Sequence, residues 1–164
     1  MRRLLLFALL ALAACGTFRA PGPRLAGPAG TGDLTCVPYA RERSGLPIRG
    51  DAWQWWEAAS GRYQRDRAPQ PGSVLVLMRT SRLPMGHVAV VAQVVSAREI
   101  RVDHANWASG AGKGRIARDQ PVLDISPAND WSVVRVWYPP GRRYGTTAFP
   151  AYGFIHARTV TAAR

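Results

Sequence analysis

The chain has 164 residues, enough for one domain with a hydrophobic core. Its 22 lysines and arginines outnumber its 10 acidic residues, giving a formal net charge of +12. Such an excess favours anionic partners: nucleic acid, anionic lipid or acidic cell-wall polymers. We expect no nucleic-acid partner, because zinc-finger spacing, a basic helix and an RNA-binding motif are all missing from the sequence.

The first fifteen residues have the pattern of an export signal. Arg2 and Arg3 precede an apolar run, Leu4 to Leu12, that is too short to span a bilayer as a helix. The run Leu-Ala-Ala-Cys ending at Cys15 resembles the bacterial lipobox, whose cysteine becomes a lipid-bearing N-terminus. We therefore predict a lipoprotein signal over 1–15 and an exported protein, lipid-anchored in the cell envelope at the outer membrane and facing the periplasm. The alternative is an ordinary secretory signal in which Cys15 is incidental.

Glycine and proline dominate the segment that follows. Residues 16–33 lack a sustained apolar period, which predicts a flexible tether. Residues 34–158 are predicted to form one folded domain and 159–164 a short tail. We expect the protein to be a monomer.

The chain has two cysteines, Cys15 and Cys36. If Cys15 carries lipid, Cys36 has no intramolecular partner. An unpaired thiol in an exported protein points to a reactive role. The alternatives are a disulfide between the two cysteines and a buried, inert thiol.

Two short helices are predicted at the start of the domain. The first runs from Cys36 to Arg43, with Thr35 as its N-cap and Gly45 after its end. Asp51 caps the second, which continues through Ala59. It carries three tryptophans that cannot all face one core, so part of this set lines a groove or is partly exposed: Trp53, Trp55 and Trp56.

Strand-like segments fill the rest of the domain. They cover residues 73–78, 87–95, 99–107, 132–138 and 152–156. Because helices precede strands, the pattern predicts an α+β domain, with short N-terminal helices packed on a central antiparallel β-sheet.

Cysteine, histidine and a third polar residue form the candidate catalytic set. Cys36 opens a helix, where unpaired N–H groups and the positive dipole end favour a thiolate with a lowered pKa and can also bind an oxyanion. Strand alternation places His87 on one face with Val91. On the next strand the same alternation puts His104 and Asn106 on a shared face, so either one can orient His87.

These segments together resemble the CHAP domain, the cysteine- and histidine-dependent amidohydrolase/peptidase group of the papain-like superfamily. The resemblance covers about residues 34–156. Its motifs are CVPYAR at 36–41, DAW at 51–53, PQPGSVLV at 69–76, IRVDHANW at 100–107 and, most specific, GHVAVV at 86–91. His104 stands where many members carry glutamate.

The resemblance implies that the protein cleaves amide or peptide bonds of peptidoglycan without a metal or other cofactor. Cys36 would be the nucleophile and His87 the general base. His104 would accept a hydrogen bond from His87 and donate one to the backbone, with Asn106 supporting the site or taking the orienting role itself.

Three other interpretations stay open. Cys36, His87 and His104 are all possible zinc ligands. The domain could be a catalytically weak module that holds wall peptides on a lipid tether. The same covalent chemistry also permits acyl transfer to an amine in place of water.

Overall fold

The computed structural model describes residues 24–25, 34–107 and 113–159. The predicted signal 1–15 with Cys15, most of the tether 16–33 and the last residues of the predicted tail lie outside the described residues. Arg24–Leu25, within the predicted tether, form strand β1, which pairs with residues 117–118. Among the described residues, no helix has the length and apolar character needed to cross a membrane.

Two short helices open the domain, as predicted. Helix α1 spans Cys36–Ser44, and Gly45 follows it with a positive φ of 73°, a conformation that favours glycine at a helix end. Thr35 occupies the N-cap position, but its side chain makes no capping hydrogen bond. Helix α2 is only Trp55–Ala58, because a 3-10 turn, Ala52–Gln54, replaces the first part of the predicted second helix.

Strands make up most of the remaining described residues. They are β2 (Tyr63–Asp66), β3 (Val74–Leu77), β4 (His87–Val94), β5 (Glu99–Ala105), β6 (Ile116–Asp124), β7 (Val133–Tyr138), β8 (Arg143–Tyr144) and β9 (Phe149–Thr159). The five predicted strands correspond to β3, β4, β5, β7 and β9. The sequence pattern did not predict β1, β2, β6 or β8.

Six strands close into an antiparallel barrel in the order β3, β4, β5, β6, β7 and β9, with β9 pairing back to β3. The predicted fold class, α+β with helices packed on a central antiparallel sheet in a papain-like arrangement, is therefore wrong, and the protein is mostly β. Strand β6 closes the sheet into a barrel because it pairs with both β5 and β7. Pro121 and Asp119, which has a φ of 54°, interrupt its apolar pattern and hide it in the sequence.

The two faces of the barrel wall bury two separate apolar clusters. The interior cluster includes Ala89 and Val91 from β4, whereas Val88 and Val90 face the helices in an outer cluster. His87 precedes Ala89 by two residues and so continues the inner face, as the alternation predicts. The start of β4 therefore places a histidine at one end of the barrel interior.

The three tryptophans have different environments, because Trp53 lies in the 3-10 turn and Trp55 and Trp56 are adjacent residues of α2 that face different directions. Trp55 is fully buried in the outer cluster. Trp53 and Trp56 are half-buried. The guanidinium of Arg79 lies 4.9 Å from the centre of the Trp53 ring, and Trp56 stacks on Tyr152 with ring centroids 5.9 Å apart.

Candidate active site

A cleft of about 780 Å³ lies where the N-terminus of α1 meets the start of β4. The loop before α2 and the loop between β3 and β4 supply its other walls. Three of the four predicted site residues line this cleft: Cys36, His87 and Asn106. His104 does not line it, and reaches the site through His87.

Cys36 is the first residue of α1 and a partly exposed free cysteine. Burial raises the pKa of its thiol above the usual 9.0, and the carboxylate of Asp51 adds to this rise. Hydrogen bonds from backbone N–H groups of Val88, Cys36 and Val37 lower the pKa but do not cancel the effect of burial. The structure therefore favours a neutral thiol at rest, and not the lowered pKa that the helix N-terminus predicts.

His87 and His104 form a direct hydrogen bond, with Nε2 of His87 and Nδ1 of His104 3.1 Å apart. Both rings are buried, with 4% and 1% of their surface exposed. Burial lowers the pKa of His104 to about 3, and burial together with the neighbouring His104 lowers the pKa of His87 well below 6.5. Both imidazoles are therefore neutral at neutral pH. Because Nε2 of His87 faces His104, Nδ1 is the nitrogen that remains to accept a proton.

The tautomers of the two histidines follow if Nδ1 of His87 is the nitrogen that accepts a proton. If Nδ1 of His87 is a base, Nε2 carries the proton and donates to Nδ1 of His104. The proton of His104 then sits on its own Nε2, which is buried and has no hydrogen-bond partner among the described residues. The predicted hydrogen bond from His104 to the backbone is therefore wrong.

Trp107 covers the histidine pair. Its ring stacks on His104 at 5.4 Å and 24°, and meets the edge of His87 at 4.8 Å. Phe149 makes an edge contact with the indole, with ring centroids 5.1 Å apart. This aromatic cover explains why the histidines are desolvated. Strand alternation would put Trp107, three residues after His104, on the opposite face of the strand, so the sequence pattern gives no sign of this contact.

Asn106 breaks that alternation. Strand β5 ends at Ala105, and Asn106 has a φ of 57°, so the predicted shared strand face is wrong. The side-chain Oδ1 accepts the N–H of Gly114 at 2.9 Å, and the backbone N–H donates to the carbonyl of Arg115. Asn106 lines the cleft but makes no hydrogen bond to either histidine within the described part of the chain.

A zinc site gains no support from this geometry. The described residues include no group of three or more His, Cys, Asp or Glu side chains placed to hold a metal ion.

Residues 27–106 match the family model of the CHAP domain. The chain contains a CHAP domain. The matched segment is about half of the chain and includes Cys36, His87, His104 and Asn106, whereas the strands that complete the barrel follow it. A comparison with curated protein sequences found no match. CHAP domains are generally hydrolases with peptidoglycan as their substrate, which assigns this chain to that broad class.

The neutral thiol of this CHAP domain has a measurable consequence. We expect the rate of Cys36 alkylation by iodoacetamide to be low at neutral pH and to rise steadily toward alkaline pH, because the thiolate is the reactive form. Mass spectrometry of the Cys36 peptide, at pH values from about 5 to about 10, gives this rate. The opposite result would be an alkylation rate that already reaches a plateau below neutral pH. If this plateau were lost in His87→Ala, Cys36 and His87 would form a thiolate–imidazolium pair.

Proposed function

We propose that the protein is a peptidoglycan amidase or endopeptidase with Cys36 as nucleophile and His87 as general base. The observation that carries this proposal is that the first residues of one helix and of one strand line the same cleft. Cys36 opens α1 and His87 opens β4, and both line the same cavity. The hydrogen bond to His104 holds the second nitrogen of His87.

The first step starts from a neutral pair. Nδ1 of His87 takes the proton from the Cys36 thiol while the sulfur attacks the carbonyl carbon of the scissile amide. The imidazolium then gives this proton to the leaving amine, the C–N bond breaks, and a thioester remains on Cys36. Because burial disfavours each charged form, proton transfer is coupled to attack rather than completed beforehand.

The start of α1 supports the oxyanion of this step. Backbone N–H groups of Cys36 and Val37 point at the sulfur in the resting protein. Once the sulfur bonds to carbon, the same donors lie beside the developing negative oxygen. A water molecule, deprotonated by His87, then hydrolyses the thioester and returns the thiol.

His104 is the positioning residue in this proposal. Its Nδ1 accepts from His87 Nε2, which fixes the ring and its tautomer. A neutral imidazole supports the positive charge on His87 less than a carboxylate would. The orienting role goes to His104 rather than Asn106 because the Asn106 side-chain oxygen is engaged by Gly114.

Mass spectrometry of soluble fragments released from purified peptidoglycan tests this proposal. An amidase separates intact stem peptides from the glycan, whereas an endopeptidase creates new termini within the peptides. We expect one of these products, and its loss after alkylation of Cys36. Binding to the wall without release of fragments would support the catalytically weak wall-peptide module instead.

We also propose that lipid on Cys15 holds the exported domain at the cell envelope, close to its substrate. The support is the sequence pattern of residues 1–15, with its short apolar run and terminal Leu-Ala-Ala-Cys. Cys15→Ala is expected to leave hydrolysis unchanged and to move the protein out of the detergent phase in a partition assay. A variant that remains in the detergent phase after a high-salt wash would contradict lipidation, since salt removes charge-driven attachment.

A further inference from the structure

We propose that three arginines on the wall of the cleft, Arg41, Arg49 and Arg82, form a subsite for a free carboxylate of the peptide being cleaved. We call this set the arginine rim. The inference rests on the proposed function and specifies the substrate class of the same site: acidic wall peptides with a free carboxylate near the scissile amide.

The arginine rim concentrates positive charge in the wall of the cleft. Four arginines elsewhere in the described residues form ion pairs with carboxylates: Arg43, Arg65, Arg98 and Arg101. No member of the rim forms such a pair within the described part of the chain. Among the described residues that line the cleft, Asp51 is the one acidic side chain. The cavity therefore has an excess of positive charge beside Cys36.

The rim converges from separate elements. Arg41 lies on α1, and its Nη1 donates to the backbone carbonyl of Ile48 at 3.3 Å, which holds the half-buried guanidinium against the next loop. Arg49 comes directly after Ile48 in that loop and is exposed. Arg82 is exposed on the loop between β3 and β4, which forms another wall of the cleft.

Guanidinium groups in this setting select carboxylates. Each presents a planar fork of N–H donors that matches a carboxylate, and a concave surface strengthens the attraction. Leu83, Pro84 and Met85 continue the wall beyond Arg82, and Met85 is 58% exposed. This apolar stretch is suited to aliphatic parts of a peptide, so charge recognition depends on the rim.

Binding to the full chain with Cys36→Ala tests this inference without requiring catalysis. The probes are a purified disaccharide–peptide fragment of peptidoglycan and the same fragment with its carboxylates converted to amides, titrated in a calorimeter. We expect the carboxylate form to bind about tenfold more tightly. Adding Arg49→Gln and Arg82→Gln together should bring the two affinities within about twofold. Arg135→Gln, an exposed site on β7 outside the cleft, is the matched control and should keep the preference.

Equal affinity for the two fragments, no measurable binding, or a preference that survives in the double variant would overturn the arginine rim as a carboxylate subsite. Turnover is measured separately with Cys36 intact. Cleavage of wall material with no carboxylate preference in binding leaves the hydrolase proposal standing and removes only this inference. If the chain prefers the carboxylate fragment in binding but cleaves no wall material, the arginine rim stands as a carboxylate subsite and the hydrolase proposal is removed.

Discussion

Replacing Cys36 with alanine is expected to lower kcat for wall hydrolysis by about a thousandfold or more, because the change removes the atom that forms the thioester. The free energy of unfolding should stay within about 1 kcal/mol of the parent value. Cys36 is only partly buried at the edge of the outer cluster, so alanine leaves a small gap there. Kinetics on purified peptidoglycan and urea denaturation measure the two quantities.

Cys15→Ala is the control for this substitution, since it removes the other cysteine of the chain, which lies in the predicted signal. It should retain the parent rate. Hydrolysis by the Cys36→Ala protein at the parent rate would rule out the cysteine mechanism. If that variant were inactive and also strongly destabilised, Cys36→Ser, which keeps the size of the side chain, should be folded and nearly as inactive.

His104→Ala is expected to lower kcat by about a hundredfold, less than the loss of the nucleophile, with little change in KM. The substitution removes the acceptor of the 3.1 Å hydrogen bond and leaves a cavity beneath Trp107. His87 then loses both its fixed orientation and its tautomer. Steady-state kinetics across pH on the variant and the parent measure the effect.

His104→Glu separates positioning from packing. A carboxylate next to His87 accepts the same hydrogen bond and stabilises the imidazolium, so it should restore part of kcat. It should also move the acid limb of the pH–rate profile to higher pH, because His87 becomes easier to protonate. A purely structural role for His104 predicts no such movement of the pH profile.

Asn106→Ala decides between the two candidates for the orienting role. We expect a smaller loss than for His104→Ala, since Asn106 bonds to Gly114 and Arg115 in its own loop. An inactive Asn106→Ala beside an almost unaffected His104→Ala would transfer the orienting role to Asn106.

Local patterns predicted the elements that carry the two catalytic candidates. The turn signal at Gly45 marked the end of α1, and the valine-rich run after His87 marked β4 and its inner face. The end of α1 and the inner face of β4 both depend on residues close by in the chain, so the sequence is sufficient to predict them. The fold class was wrong because closure of the barrel depends on β6, a polar strand that contains Pro121 and is stabilised by two partner strands.

The chemical environment of the site depended on contacts that no local pattern contains. The N-terminal position of Cys36 predicts a lowered thiol pKa, but burial against the barrel outweighs the backbone hydrogen bonds. The positive φ of Asn106 turns the chain at the end of β5. That turn separates Asn106 from the histidines and lays Trp107 over them. The φ of Asn106 therefore explains why strand alternation gives the wrong face for both Asn106 and Trp107.

Detection of a thioester on Cys36 during turnover tests most directly whether this thiol is the nucleophile for a wall peptide. The chain is mixed with a peptidoglycan fragment, quenched in acid within the first turnovers, and digested for mass spectrometry. We expect the Cys36 peptide to gain the mass of the acyl part of the substrate, and to lose it on treatment with hydroxylamine. Hydrolysis that proceeds while Cys36 stays unmodified, or an acyl group found on another residue, would contradict the mechanism.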